Sequence, residues 1–175
     1  MDLFSLQRQL GDLTEYPLEQ WRPTFCGPVP IRIDRDGGWY FHGSPIQRPE
    51  LVRLFAAVLS CVDGRYLLTT PAEQVQIEVD DAPFVLVDAA WLDDDRLQLT
   101  TNLQQTFIVG PEFPVVLEPE AGQGQLLPYL QLKRGLRAKF SRTLYYRLAE
   151  RAQEHIVDGQ SQYLLHSGAY PFRLG

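Results

Sequence analysis

The sequence predicts an α+β fold made of two related halves. Three observations lead there. Short segments with every second residue apolar, the period of a half-buried strand, outnumber the stretches with helical period. Glycine, aspartate and proline separate them at the spacing of tight turns. The order strand, helix with an arginine near its start, then a Tyr-Leu-Leu strand occurs twice.

Each element has its own signal. A short helix is expected over about residues 3–10. A proline-rich approach (Pro17, Pro23, Pro28, Pro30) leads to the alternating Ile31-Arg32-Ile33-Asp34. Asp36-Gly37-Gly38 supplies turn chemistry, and Trp39-Tyr40-Phe41-His42 returns as the second strand of a hairpin. Pro49 suits a first helical position, where no N–H is needed. Leu51, Leu54, Phe55, Val58, Leu59 and Val62 then share one helical face, so the helix packs on a sheet until Asp63-Gly64 ends it. Residues 65–70 and 74–79 follow as strands.

The second half begins near Asp80-Asp81, which divides the chain into domains 1–81 and 82–175. Strand candidates lie at 84–91, 96–102, 106–109, 113–117 and 129–133, with a flexible loop at 121–125. Ser141 has the chemistry of a helix N-cap. Leu144, Leu148, Ala152 and Ile156 line one side of the helix it starts. Residues 163–165 and 170–174 close the chain as strands. Ile46-Gln47-Arg48 with Arg53-Leu54 matches Phe140-Ser141-Arg142 with Arg147-Leu148, and Tyr66-Leu67-Leu68 matches Tyr163-Leu164-Leu165 at nearly the same offset. Duplication then gives two ββαββ-like units with a cleft between them, a common place for ligands.

Asp36-Gly37-Gly38-Trp39-Tyr40-Phe41-His42-Gly43-Ser44-Pro45-Ile46 resembles the hallmark of a bacterial family, domain of unknown function (DUF) family 1285. Further matches are Thr70-Pro71-Ala72-Glu73, Val79-Asp80-Asp81-Ala82-Pro83-Phe84, Thr101-Asn102 and the closing Ser167-Gly168-Ala169-Tyr170-Pro171-Phe172-Arg173-Leu174-Gly175. The resemblance runs from about Pro17 to the C-terminus and rests on the order and spacing of these motifs. It implies an α+β fold made by duplication, whose C-terminal part is extended by extra strands into a pleckstrin-homology-like barrel. It also implies a nucleotide-like ligand at the interface of the halves, a role in signalling, and no established activity. Gln74 stands where the family pattern calls for a basic residue and Arg137 where it calls for an acidic one, both on expected polar surface.

The candidate chemistry is sparse. His42 and Ser44 are two apart and would share a face of a regular strand, which is the basis of a hydrolase reading. No G-x-S-x-G elbow accompanies them, and serine before proline is also turn chemistry. Cys26, Cys61, His42, His155 and His166 lack zinc spacing, and the two cysteines read as free thiols. Asp34-Arg35-Asp36-Gly37 opens like a calcium loop, but Pro45 occupies the place of the closing glutamate, so a hairpin turn fits better. No phosphate-binding glycine loop is present, and no cofactor is expected.

Sixteen basic residues against 22 acidic ones give a net charge of −6, which argues against a partner of long nucleic acid. The N-terminus lacks a signal peptide's pattern and no run is long enough to span a bilayer, so a cytoplasmic protein without membrane contact is expected. The average hides two blocks. Lys133, Arg134, Arg137, Lys139, Arg142, Arg147 and Arg151 face only Glu150, while residues 78–120 hold ten carboxylates and Arg96 alone. The basic block either neutralises the acidic strands and meets water or forms an anion pocket. In the second case Arg134, Arg142 and the helix start after Ser141 hold a phosphate or carboxylate. Tyr129 and Tyr145 then offer stacking surface, and Arg48 is the counterpart in the first repeat. The expectation carried forward is a non-catalytic, regulatory protein with a small anionic ligand at His42, Ser44, Arg48, Tyr129, Arg134, Arg142 and Tyr145. The alternatives are a hydrolase using His42 and Ser44, or a module that binds a protein partner in signalling.

Overall fold

A computed structural model of the chain describes residues 2–11 and 16–175. The first helix, α1 (Leu3–Leu10), starts where the Asp2 carboxylate accepts the Ser5 N–H at 2.6 Å, and it buries Leu6 and Leu10. Three strands follow: β1 (Thr24–Ile33), β2 (Trp39–Phe41) and β3 (Ser44–Pro45). Helix α2 (Pro49–Ala57) buries Leu51, Val52, Phe55 and Ala56. It leads to β4 (Leu59–Val62), β5 (Arg65–Thr69) and β6 (Glu73–Val79). These six strands form one sheet in the order β3-β2-β1-β6-β5-β4, antiparallel except for the central β1–β6 pair. Ile31, Ile33, Val75, Ile77, Leu68 and Leu59 form its buried face, with Trp39 and Phe55 in tilted ring contact at 6.3 Å.

The remaining strands are β7 (Phe84–Trp91), β8 (Leu97–Thr101), β9 (Thr106–Ile108), β10 (Val115–Pro119), β11 (Leu126–Gln131) and β12 (Arg137–Phe140). They form a second six-stranded sheet, ordered β10-β11-β12-β7-β8-β9, again with its first and last strands paired parallel at the centre. Helix α3 (Arg142–Ala149) starts at Ser141, whose Oγ accepts the Leu144 N–H at 3.2 Å. An antiparallel sheet of β13 (Gln153–Val157), β14 (Gln160–Ser167) and β15 (Tyr170–Arg173) ends the chain. Contacts divide the protein into a unit that runs up to Asp80 and includes Arg134–Leu136, and a second made of Asp81–Lys133 and Arg137–Gly175.

The duplication is visible in topology. Strands β1 to β3, α2 and β4 to β6 have counterparts in β10 to β12, α3 and β13 to β15. β10 runs close to β15 as β1 pairs with β6, though β10 and β15 belong to separate sheets. Each repeat is therefore βββαβββ rather than ββαββ. Strands β7 to β9 are the extra ones of the C-terminal unit. Among the described residues all three sheets are open, so the fold is a mixed α+β one without a closed barrel.

Two helices are shorter than expected. Leu59 and Val62 belong to β4, and Val62 is half exposed. Ala152 lies beyond α3, and Ile156 sits in β13 with 76% of its surface exposed. β1 is longer than the alternating segment suggested, because Pro28 falls between two shifts in its register with β6, where a missing N–H is tolerated. Expected strand 129–133 is Leu126–Gln131, followed by a helical turn at Lys133–Gly135. No helix among the described residues is long and apolar enough to cross a membrane.

Candidate functional site

The β2–β3 hairpin has a two-residue turn. Phe41 pairs with Ser44, and His42 and Gly43 between them have φ of 48° and 77°. Two successive positive φ values define the turn that matches strand twist, and glycine takes the second without strain. His42 is therefore in the turn and not on the strand, and it no longer shares a strand face with Ser44. Its ring lies edge-on to Phe41 at 4.4 Å, in a cavity of 560 Å³ with Arg32, Asp34, Tyr40 and Glu78. Ser44 lines a different cavity. The Asp34 carboxylate accepts the N–H groups of Asp36 and Gly38 and the Tyr40 hydroxyl, which is hairpin chemistry rather than a calcium loop. Arg32 is clamped to both Asp80 oxygens.

Ser44 and Arg48 do come together. They line a cavity of 310 Å³ at the start of α2, with Gln47 beside them and Leu3, Phe41 and Leu51 as apolar walls. Among the described residues no acidic one lines it. Arg48 is the N-cap of α2 but makes no side-chain cap, and its guanidinium lies 5.5 Å from the Phe4 ring centroid. A guanidinium, a hydroxyl and an amide around one small hollow can hold a carboxylate or a phosphate.

The other expected residues separate by role. Arg134 donates to the carbonyls of Ala57 at 2.8 Å and Tyr16 at 2.9 Å and pairs with Glu19, so its donors already have partners. Arg142 is exposed in the first turn of α3 and makes no ion pair among the described residues. Tyr145, one turn on, is half-buried and in edge contact with Tyr146. Tyr129 offers no stacking surface to a ligand, because it is fully buried.

Much of the basic block neutralises the acidic strands. Lys133 pairs with Glu112, Arg147 with Asp88, and Arg137 with both Asp81 and Glu118. Sequence reasoning missed this last cluster and placed Arg137 on the surface. The Asp81 side chain is 0% exposed and that of Arg137 18%. Asp81 accepts the Tyr129 hydroxyl at 2.8 Å, the Ala121 N–H at 3.0 Å and Arg137 at 3.1 Å. The Arg137 guanidinium stacks 4.0 Å from the Tyr129 ring centroid.

Burial first, and then the Asp81 hydrogen bond and charge, push the Tyr129 phenol well above its ordinary 10.0, against the pull of Arg137. The folded state thus holds this proton more tightly than the unfolded chain does. Its contribution is complete below about pH 10 and declines as pH rises further. Urea unfolding from about pH 9 to 11 is expected to show that decline, and Tyr129→Phe to flatten it. A pH-independent midpoint in the unsubstituted protein would contradict the argument.

Comparison with known proteins gives the family. No curated protein matches the chain. The family model described as "Domain of unknown function (DUF1285), N-terminal domain" matches residues 16–82. The model described as "Protein of unknown function (DUF1285), C-terminal domain" matches residues 83–174. A crystal structure of a DUF1285 family protein from Silicibacter pomeroyi DSS-3 is 35% identical, with a TM-score of 0.84, covering 99% of this chain and 94% of that one. Another, from Shewanella baltica OS155, is 29% identical, with a TM-score of 0.58, covering 70% of this chain and 91% of that one. The motifs, the fold and both halves of the chain agree, and the protein belongs to the DUF1285 family.

Proposed function

We propose that the protein is a non-catalytic regulatory protein that binds a small anionic, nucleotide-like ligand. The cavity at the start of α2 carries this reading. Its lining among the described residues holds Arg48, Ser44 and Gln47 and no carboxylate, whereas the cavity beside His42 contains Asp34 and Glu78. A cation at a helix N-terminus opposes the helix dipole, and an anion bound there relieves both. Arg142 stands in the first turn of α3, which holds no acidic residue, whereas the first turn of α2 carries Glu50 beside Arg48. The separation of His42 from Ser44 supports a role without nucleophilic catalysis. The regulatory effect follows if the ligand binds one conformation better than another. A pleckstrin-homology-like relation of the C-terminal sheets belongs to the same reading, supported by the approach of β10 to β15.

Thermal unfolding with ADP, and separately with inorganic phosphate, tests it. Binding raises Tm by mass action. Arg48→Ala is expected to weaken the effect at least about tenfold in apparent affinity. An ADP or phosphate response that Arg48→Ala leaves intact, or no response to either, refutes the anion reading.

A further inference from the structure

An edge strand shows a row of unpaired N–H and C=O groups, which proteins blunt with charge, proline or cover. Five of the six edges of these sheets are treated in that way. β3 is Ser44-Pro45. β4 is covered at Cys61, whose carbonyl approaches Gly135 so closely that a Cβ on that glycine would collide with it. β10 carries Glu118 and Pro119, and β13 carries Glu154 and His155. β15 contains Pro171 and Arg173 and runs beside β10. β9, Thr106-Phe107-Ile108, has neither charge nor proline.

The outward groups of β9 can be named. On either side of it, the Gln105 carbonyl accepts the Thr101 N–H at 2.8 Å, and the Val109 N–H donates to the Leu97 carbonyl at 2.9 Å. In an antiparallel ladder the alternate residues point away from the partner, so the peptide groups of Thr106 and Ile108 face away from β8. β9 also borders a cavity of 880 Å³, walled by Phe107, Ile108, Phe113, Tyr170 and Pro171 and, from β8, by Gln98. Phe107 and Phe113 are in edge contact at 5.0 Å. Its opposite wall is fixed, because the Gly168 N–H donates to the Asp95 carbonyl at 2.8 Å. Its charges are already paired, Arg96 with Asp94 and Glu112 with Lys133. The occupant that satisfies these surroundings is apolar, uncharged and rich in peptide donors and acceptors.

We propose that this groove binds an extended, uncharged, apolar peptide segment of a partner protein, which adds to the sheet as a strand beside β9. The site is independent of the anion cavity. The probe is fluorescein-labelled acetyl-Val-Thr-Val-Thr-Val-amide, titrated with the full chain and followed by fluorescence anisotropy. Saturable, salt-insensitive binding is expected. The same peptide N-methylated at alternate residues keeps its apolar surface but loses its donors, and should bind at least about tenfold more weakly. Ile108→Pro deletes an outward N–H, leaves the bonds of Gln105 and Val109 to β8 in place, and should weaken binding similarly. Equal binding of the methylated peptide would overturn the proposal and mark the groove as a site for small apolar molecules. Absence of saturable binding up to about 1 mM would overturn it outright. The measurement contains no ADP or phosphate, so its failure is distinct from failure of the anion reading.

Discussion

Asp81→Ala is expected to lower stability by about 3–5 kcal/mol, read as a fall in the urea midpoint at unchanged slope. The carboxylate is fully buried and serves three donors from β11, β12 and the loop before β11. Without it the Tyr129 hydroxyl loses the acceptor it has here, and Glu118 is the one counter-ion left to Arg137 among the described residues. Burial alone would weaken the charge on Arg137. Glu118, Tyr129 and Asp81 together outweigh it and hold the guanidinium protonated. Asp81→Asn preserves shape and an acceptor while removing the charge, so it should cost less than the alanine variant. A loss below about 1 kcal/mol for Asp81→Ala would show that Glu118 suffices for Arg137 and that the buried cluster adds specificity rather than stability.

Ser167→Ala is expected to cost about 2–4 kcal/mol. The Ser167 side chain takes the place of a rung at the end of the β8–β9 ladder. The Leu97 N–H donates to its Oγ at 2.9 Å, and its own hydroxyl donates to the Val109 carbonyl at 2.6 Å. All three groups are buried, so removal of the hydroxyl strands one donor and one acceptor. Amide exchange at Leu97 provides the local readout and should accelerate with the loss of stability. A near-neutral result with Leu97 still protected would mean that the two strands close onto each other directly, which would make the hydroxyl a spacer between them.

Local features were readable wherever one residue settles a conformation. Ser141 marks the start of α3 because its Oγ meets the Leu144 N–H, and Asp36-Gly37-Gly38 marks the first hairpin because Asp34 collects its N–H groups. The ends of α2 and α3 were illegible for the opposite reason. Ala57-Val58-Leu59 and Arg151-Ala152-Gln153 contain no glycine or proline to announce the change from helix to strand. Leu59 is buried on the strand as it would be on a helix, and the apolar period therefore runs on unbroken. The clue was at the far end, where Val62 and Ile156 are too exposed for a packed helical face. The Asp81 cluster had no local signal at all. Asp81, Glu118, Tyr129 and Arg137 meet only through strand register, and Asp80-Asp81 reads equally well as a hydrophilic boundary. Among the expected site residues, Ser44 and Arg48 lie close in sequence and share a cavity, whereas Tyr129 and Arg134 are committed to distant partners.

The parallel pair at the centre of each six-stranded sheet sets the order in which the protein can be made. β1 aligns Thr24 with Glu73, and β7 aligns Phe84 with Ala138. Each opening strand must therefore wait for roughly fifty residues of later chain before its central neighbour exists. At a ribosomal rate of about 5–20 residues per second, Ile31 and Ile33, and later Phe84 and Leu86, remain uncovered on that side for seconds. Closure of so long a loop before any central rung forms makes folding slow for a chain of this size. The antiparallel strands on either flank need only short connections, so in each six-stranded sheet they are expected to pair before the parallel rung that joins them.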